Sequence, residues 1–150
     1  MPASDAAQFD AVRVLFREYQ ASMAADPCFL SLEKELAGLP GDYAPPAGRL
    51  LLADWEGNLA GCVALRKLEE GVCEMKRFFV RPAFRGRNIG WELAQAILRE
   101  SREAGYRRMR LDTLPVMQKA QALYEALGFH DIEPYWASPI AGARYMEKVL

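Results

Sequence analysis

The segment Arg85-Gly86-Arg87-Asn88-Ile89-Gly90 joins a strand-like run ending at Val80 to an amphipathic helical pattern that begins near Ile89. A turn there aims several backbone N–H groups at one point, and the positive end of the helix dipole reinforces them. The chemistry this favours is phosphate binding. Lys76, Arg77, Arg81, Arg85 and Arg87 are the five basic residues between Lys76 and Gly90, with no acidic residue among them, so the local field is positive. A basic surface turn ahead of a helix is the plainer reading of the same residues. Neither the Gly-Lys-Ser/Thr ending of a P-loop nor the three-glycine dinucleotide fingerprint is present.

Further along, Ala120-Gln121-Ala122-Leu123-Tyr124-Glu125-Ala126-Leu127-Gly128-Phe129 sets Ala120, Leu123 and Leu127 on one helical stripe that Gly128 stops. Tyr124 is then either a core residue with a satisfied hydroxyl or a phenol presented to a cleft. Taken together, the two segments resemble the GNAT superfamily of acyl-CoA-dependent N-acyltransferases. Arg85 and Gly90 fit its Arg/Gln-x-x-Gly-x-Gly/Ala acyl-CoA signature, with Asn88 in place of the first small residue. The second segment fits its Ala-x-x-Leu-Tyr-x-x-x-Gly-Phe helix ending. Asn enters the left-handed region more readily than other non-glycine residues, so the turn survives, although the side chain would crowd a pyrophosphate.

The resemblance implies an α+β GNAT fold, a mixed and mostly antiparallel twisted sheet flanked by helices. It implies acetyl-CoA as co-substrate, held by Arg85, Gly86, Arg87, Asn88, Ile89 and Gly90, with the backbone of Phe78, Phe79 and Val80 pairing with the pantetheine arm. It also implies that Tyr124 points into the cleft beside the CoA sulfur. The Asn that many relatives carry seven residues before this Tyr is Met117 here, and Thr113 is its candidate replacement.

Acyl transfer to an amine needs a base for the attacking nitrogen, a donor for the oxyanion and an acid for the departing thiolate. Alternation along Cys73 to Val80 puts Glu74, Lys76, Phe78 and Val80 on one face. Glu74, where some family members carry a catalytic glutamate, is the candidate base, its pKa raised by desolvation beside Phe78. A solvated carboxylate paired with Lys76 or Arg77 and a proton path through water are the alternatives. Tyr124 is the candidate acid, and the backbone N–H of Phe79 or Val80, exposed by a bulge, the oxyanion donor. Tyr43, Tyr135 and Trp136 are candidates to stack on an acceptor, and Asp42 or Glu33 to hold its ammonium group; closing a core edge is the alternative for each.

Composition bounds what these residues can serve. The chain of 150 residues is 51% hydrophobic and 26% charged, one domain able to bury a full core. Lys and Arg number 19 against 20 Asp and Glu. The positive segment is therefore local, suited to one polyphosphate ligand rather than to nucleic acid. Three cysteines without a CxxC pair, no apolar run of membrane length and no leader indicate a cytoplasmic protein with no membrane partner. His130, the sole histidine, makes a zinc site or a Ser-His-Asp triad improbable, and no metal is expected. A small-molecule amine is the expected acceptor. A protein N-terminus or lysine, a non-catalytic CoA-sensing module and a nucleic-acid module are the alternatives.

These groups must be positioned by one continuous unit, residues 1–150. Asp5 with Gln8 makes a capping box for a helix to about Ser22, with Phe9, Val12, Phe16 and Tyr19 on one face. Residues 26 to 48 are broken by Pro and Gly around a short helical piece at Leu32 to Leu36. Arg49 to Ala53, Leu59 to Leu68 and Val72 to Val80 read as an antiparallel meander. A helix from Ile89 to about Ala104, a strand at Arg108 to Thr113, the Tyr124 helix and a strand at Arg144 to Val149 follow. The first strand of the family is missing or very short, or its edge is supplied by a partner copy in a homodimer.

Overall fold

In the computed structural model, residues 1–22, 32–136 and 141–150 are described. Cys28 and the Asp26-Pro27 break lie outside them. The elements run α1 (Ala6–Ser22), α2 (Leu32–Ala37), β1 (Arg49–Trp55), β2 (Asn58–Glu69), β3 (Val72–Val80), α3 (Ile89–Glu103), β4 (Arg108–Thr113), α4 (Gln118–Ala126), β5 (His130–Asp131) and β6 (Arg144–Val149). Short 3₁₀ turns sit at Gly41–Tyr43 and Pro82–Phe84. No helix among the described residues is long and apolar enough to cross a membrane.

Local signals set the ends. At α1 the Gln8 N–H donates to Asp5 Oδ1 (2.8 Å) and the Asp5 N–H donates back to Gln8 Oε1 (3.2 Å), the reciprocal capping box. Glu56 and Gly57, with φ of 50° and 81°, close the β1–β2 hairpin in the left-handed conformation that matches the twist of two strands. The strands order as β1-β2-β3-β4-β6-β5, and every neighbouring pair is antiparallel except β3–β4. The first edge proves to be very short. Pro2 forms a single antiparallel bridge with Leu51, flanked by Ala3 N–H to Leu50 O and Leu52 N–H to Met1 O, each 2.8 Å.

Helices cover both faces of the sheet. Against one, α3 buries Ile89, Leu93, Ala94, Ile97 and Leu98 over Val63, Leu65, Met75, Met109 and Leu111, with Tyr124 of α4 in the same cluster. Against the other, Val12, Leu15 and Phe16 of α1 and Leu32 and Leu36 of α2 cover Leu50, Leu52, Cys62, Ala64 and Phe79. With both faces of its middle strands dry, β2 carries an unbroken apolar run rather than an alternating one.

Two irregularities of β3 shape the site. Cys62 pairs with Phe79 but Ala64 pairs with Lys76, so β3 carries one extra residue, and Arg77 there has φ 55°. Beyond the parallel pairs Val72–Arg108, Cys73–Met109 and Glu74–Arg110, β3 and β4 no longer pair. The sheet splits open.

Candidate active site

The split between β3 and β4 is lined by Met75, Lys76, Arg77 and Phe78 on one side and by Leu111, Asp112, Thr113, Leu114 and Met117 on the other, with Tyr124 and Tyr19 closing it. Arg81 N–H donates to Ala60 O (2.8 Å), so it faces β2. By the alternation of an antiparallel ladder, the Val80 N–H and C=O point to the opposite edge, toward the split. The Val80 carbonyl there accepts from Arg85 Nε at 3.0 Å.

Tyr124 is fixed by the end of its helix. Gly128, at φ 96°, lets its own N–H reach Glu125 O and the Phe129 N–H reach Tyr124 O, both 3.0 Å, the two bonds of a Schellman stop. The rings of Tyr124 and Phe129 pack 5.8 Å apart, and Phe78 meets Tyr124 edge-on at 6.1 Å. Burial, and next the charge of Asp112, raise the Tyr124 pKa well above the usual range of a phenol. Thr113 Oγ1 lines the same cleft, buried and with no hydrogen-bond partner among the described residues. An orphaned hydroxyl costs stability unless a ligand completes it.

The turn from Arg85 to Gly90 lies beside the cleft wall. Gly86 (φ 82°) and Asn88 (φ 65°) both take the left-handed backbone, and Asn88 is the N-cap of α3 with no side-chain cap bond. The first intrahelical bond is Glu92 N–H to Asn88 O, so the N–H groups of Ile89, Gly90 and Trp91 lack helical acceptors. A Cβ on Gly90 would sit 3.5 Å from the Phe78 ring, which ties the helix start to the cleft wall. Arg85 and Arg87 are exposed, the first 6.0 Å from the centre of the Phe79 ring and the second 5.4 Å from that of Trp55.

The profile of the Acetyltransferase (GNAT) family matches residues 10–129. An uncharacterised N-acetyltransferase of Schizosaccharomyces pombe is 40% identical over 139 residues, covering 91% of this chain and 85% of its own. The chain belongs to the GNAT acetyltransferase family. Among solved structures, a GNAT-family acetyltransferase of Staphylococcus aureus superposes with a TM-score of 0.81 at 18% identity, covering 98% of this chain and 96% of that one. PaiA N-acetyltransferase of Thermoplasma acidophilum, in complex with coenzyme A, gives 0.77 at 15% identity, over 99% and 96% of the two chains. This GNAT protein is an acyltransferase, and its mixed sheet is that of the family.

Within this GNAT fold, Phe78, Thr113 and Tyr124 come together at the split, while Arg85 and Gly90 lie against Val80 and Phe78 beside it. The Phe79 ring does not join them. The bulge at Arg77 turns it into the α1 side, stacked on Tyr19 at 5.4 Å. The same bulge corrects the expected alternation. Phe78 and Val80 pack against the α3 cluster, whereas Glu74 faces the other way. Glu74 is buried, its Oε1 accepting from Arg66 Nε (2.8 Å) and its Oε2 from the Tyr135 hydroxyl (2.7 Å). Its partners are therefore neither Lys76 nor Arg77. Burial, and next the Glu74 charge, hold the Tyr135 phenol protonated.

The other acceptor-side candidates separate. Tyr43 is a core residue edge-on to Phe16, and its hydroxyl donates to Glu35 (2.7 Å), which also binds Arg77 (3.1 Å). Glu33 pairs with Arg17 at the surface. Asp42 lines a separate depression with Lys34 and Arg66. Tyr135 packs edge-on to Tyr145, and Trp136 Nε1 donates to Asp112 Oδ2 (3.3 Å). Sequence reasoning missed Arg66 and Asp112, since both act through a register between strands. Alternation from Arg110 to Asp112 was the one available signal.

Proposed function

We propose that this enzyme transfers the acetyl group of acetyl-CoA to a primary amine of a small molecule, with both substrates bound together at the β3–β4 split. The observation that carries this reading is the meeting in one cleft of the orphaned Thr113 hydroxyl and the buried Tyr124 phenol, with the outward edge of β3 continuing beyond Phe78 to Val80. The residues fit acetyl-CoA, because the bare amides of Ile89 to Trp91 and the cations Arg85 and Arg87 suit a pyrophosphate, and the unpaired edge of β3 suits an amide-bearing arm. Acetyl-CoA supplies an activated acyl carbon, where a C–N bond forms as the C–S bond breaks.

The Val80 N–H donates to the thioester oxygen as it gains charge, and the Thr113 hydroxyl anchors the pantetheine arm. Tyr124 gives its proton to the departing sulfur and regains one from solvent. Its raised pKa does not disqualify it, because a thiolate formed against the same buried ring is also poorly solvated. Burial, its largest influence, pushes the Cys73 thiol of the neighbouring core up to about 12. Both oxygens of Glu74 are occupied, so its role is to hold Tyr135 and Arg66 on the acceptor side, and the amine proton leaves through water.

The test is an acceptor screen that follows thiol release from acetyl-CoA, run beside thermal melts. Acetyl-CoA raising the melting temperature while duplex DNA does not, with amine-dependent thiol release, supports the reading. Stabilisation by CoA without turnover of any amine or peptide would favour a CoA-sensing module.

A further inference from the structure

The parallel register that ends at Glu74–Arg110 would place Lys76 opposite Asp112 one same-face step farther on. There the strands have already parted. Lys76 and Asp112 both line the cleft, and no ion pair joins them. The other cations on this side are engaged: Arg66 and Arg110 hold Glu74 and Glu147, both at 2.8 Å, and Arg77 holds Glu35 at 3.1 Å. Lys76 is half-buried and enters no ion pair or side-chain hydrogen bond among the described residues. With no anion of this chain paired with it among the described residues, the Lys76 ammonium in the cleft is open to an anionic group brought by a ligand.

We infer that the acceptor carries a carboxylate as well as its amine, as an α-amino acid does, with the carboxylate on Lys76 and the amine on Asp112. The inference rests on the acyl-transfer reading above. Charge fixes the orientation, because the reversed pose would put like charges together on both walls. In the favoured pose the amine lies on the β4 wall, the side that carries Thr113 next to Asp112 and faces Tyr124. A simple alkylamine or an internal lysine would leave Lys76 without a partner.

The experiment compares kcat/KM, from thiol release by acetyl-CoA, for the common L-amino acids and the carboxamide of each. At least one free acid should exceed its carboxamide by roughly 10-fold or more. Lys76→Met should bring that ratio to within about 3-fold, and Lys76→Arg should preserve it. A carboxamide used as well as its acid, or a ratio unchanged by Lys76→Met, overturns the inference. Calorimetric titration of acetyl-CoA separates the two levels. Binding without turnover of any amino acid overturns this inference alone, and no binding overturns the proposed function with it.

Discussion

The Phe129 N–H bonds the Tyr124 carbonyl at 3.0 Å while the two rings pack 5.8 Å apart, so the glycine between helix and strand sets where the Tyr124 phenol points. Helix stop and candidate acid are one device. Tyr124→Phe keeps the ring, its contact with Phe78 and the Schellman stop, and deletes only the hydroxyl. Turnover should fall roughly 100-fold with the melting temperature nearly unchanged. Full turnover at a lowered melting temperature would make Tyr124 structural. Steady-state rates and melts on one sample decide it.

Glu74 makes the opposite prediction. Glu74→Gln leaves a buried amide facing Arg66 and Tyr135, so stability should drop by about 1 to 3 kcal/mol, and any loss of activity should appear mainly in the KM for the acceptor. A fall of about 100-fold in kcat with the acidic limb of the pH–rate profile erased would instead identify Glu74 as the base.

A pH prediction follows from Glu147. Burial alone would raise its pKa, but hydrogen bonds from Arg110 and Arg108 outweigh this and lower it below 4.5. A depressed folded pKa means the unfolded chain binds the proton first. The stabilisation is complete above the unfolded value and is lost as the pH falls through the folded one. Chemical denaturation should therefore show stability declining below about pH 5, with a shallower decline in Glu147→Gln. Equal slopes for the two proteins would count against the Arg–Glu147 cluster as the cause.

Much of this was legible in the sequence, for local reasons. Asp5 and Gln8 announce α1, Gly128 stops α4, and Asn88 adopts the left-handed backbone that its residue type permits. The face of Glu74 was not legible, because a positive φ at Arg77 leaves no mark in composition, and one extra residue inverts everything on one side of it. β5, only His130–Asp131, is too short to show a period, and the bridge at Pro2 is shorter still. The facing of Lys76 and Asp112 depends on a parallel register between strands separated by the whole of α3, which no local pattern encodes.

The proposed function requires acetyl-CoA to bind with its pyrophosphate at the start of α3. Calorimetric titration of acetyl-CoA into the wild-type protein and into Arg85→Ala/Arg87→Ala tests it most directly, since both side chains are exposed and their loss should leave the fold intact. Allowing about 1 to 2 kcal/mol for each charge-assisted bond, the double variant should bind roughly 30- to 700-fold more weakly, at one site per chain in both proteins. Equal affinity in the two, or no saturable binding in the wild type, would contradict the assignment.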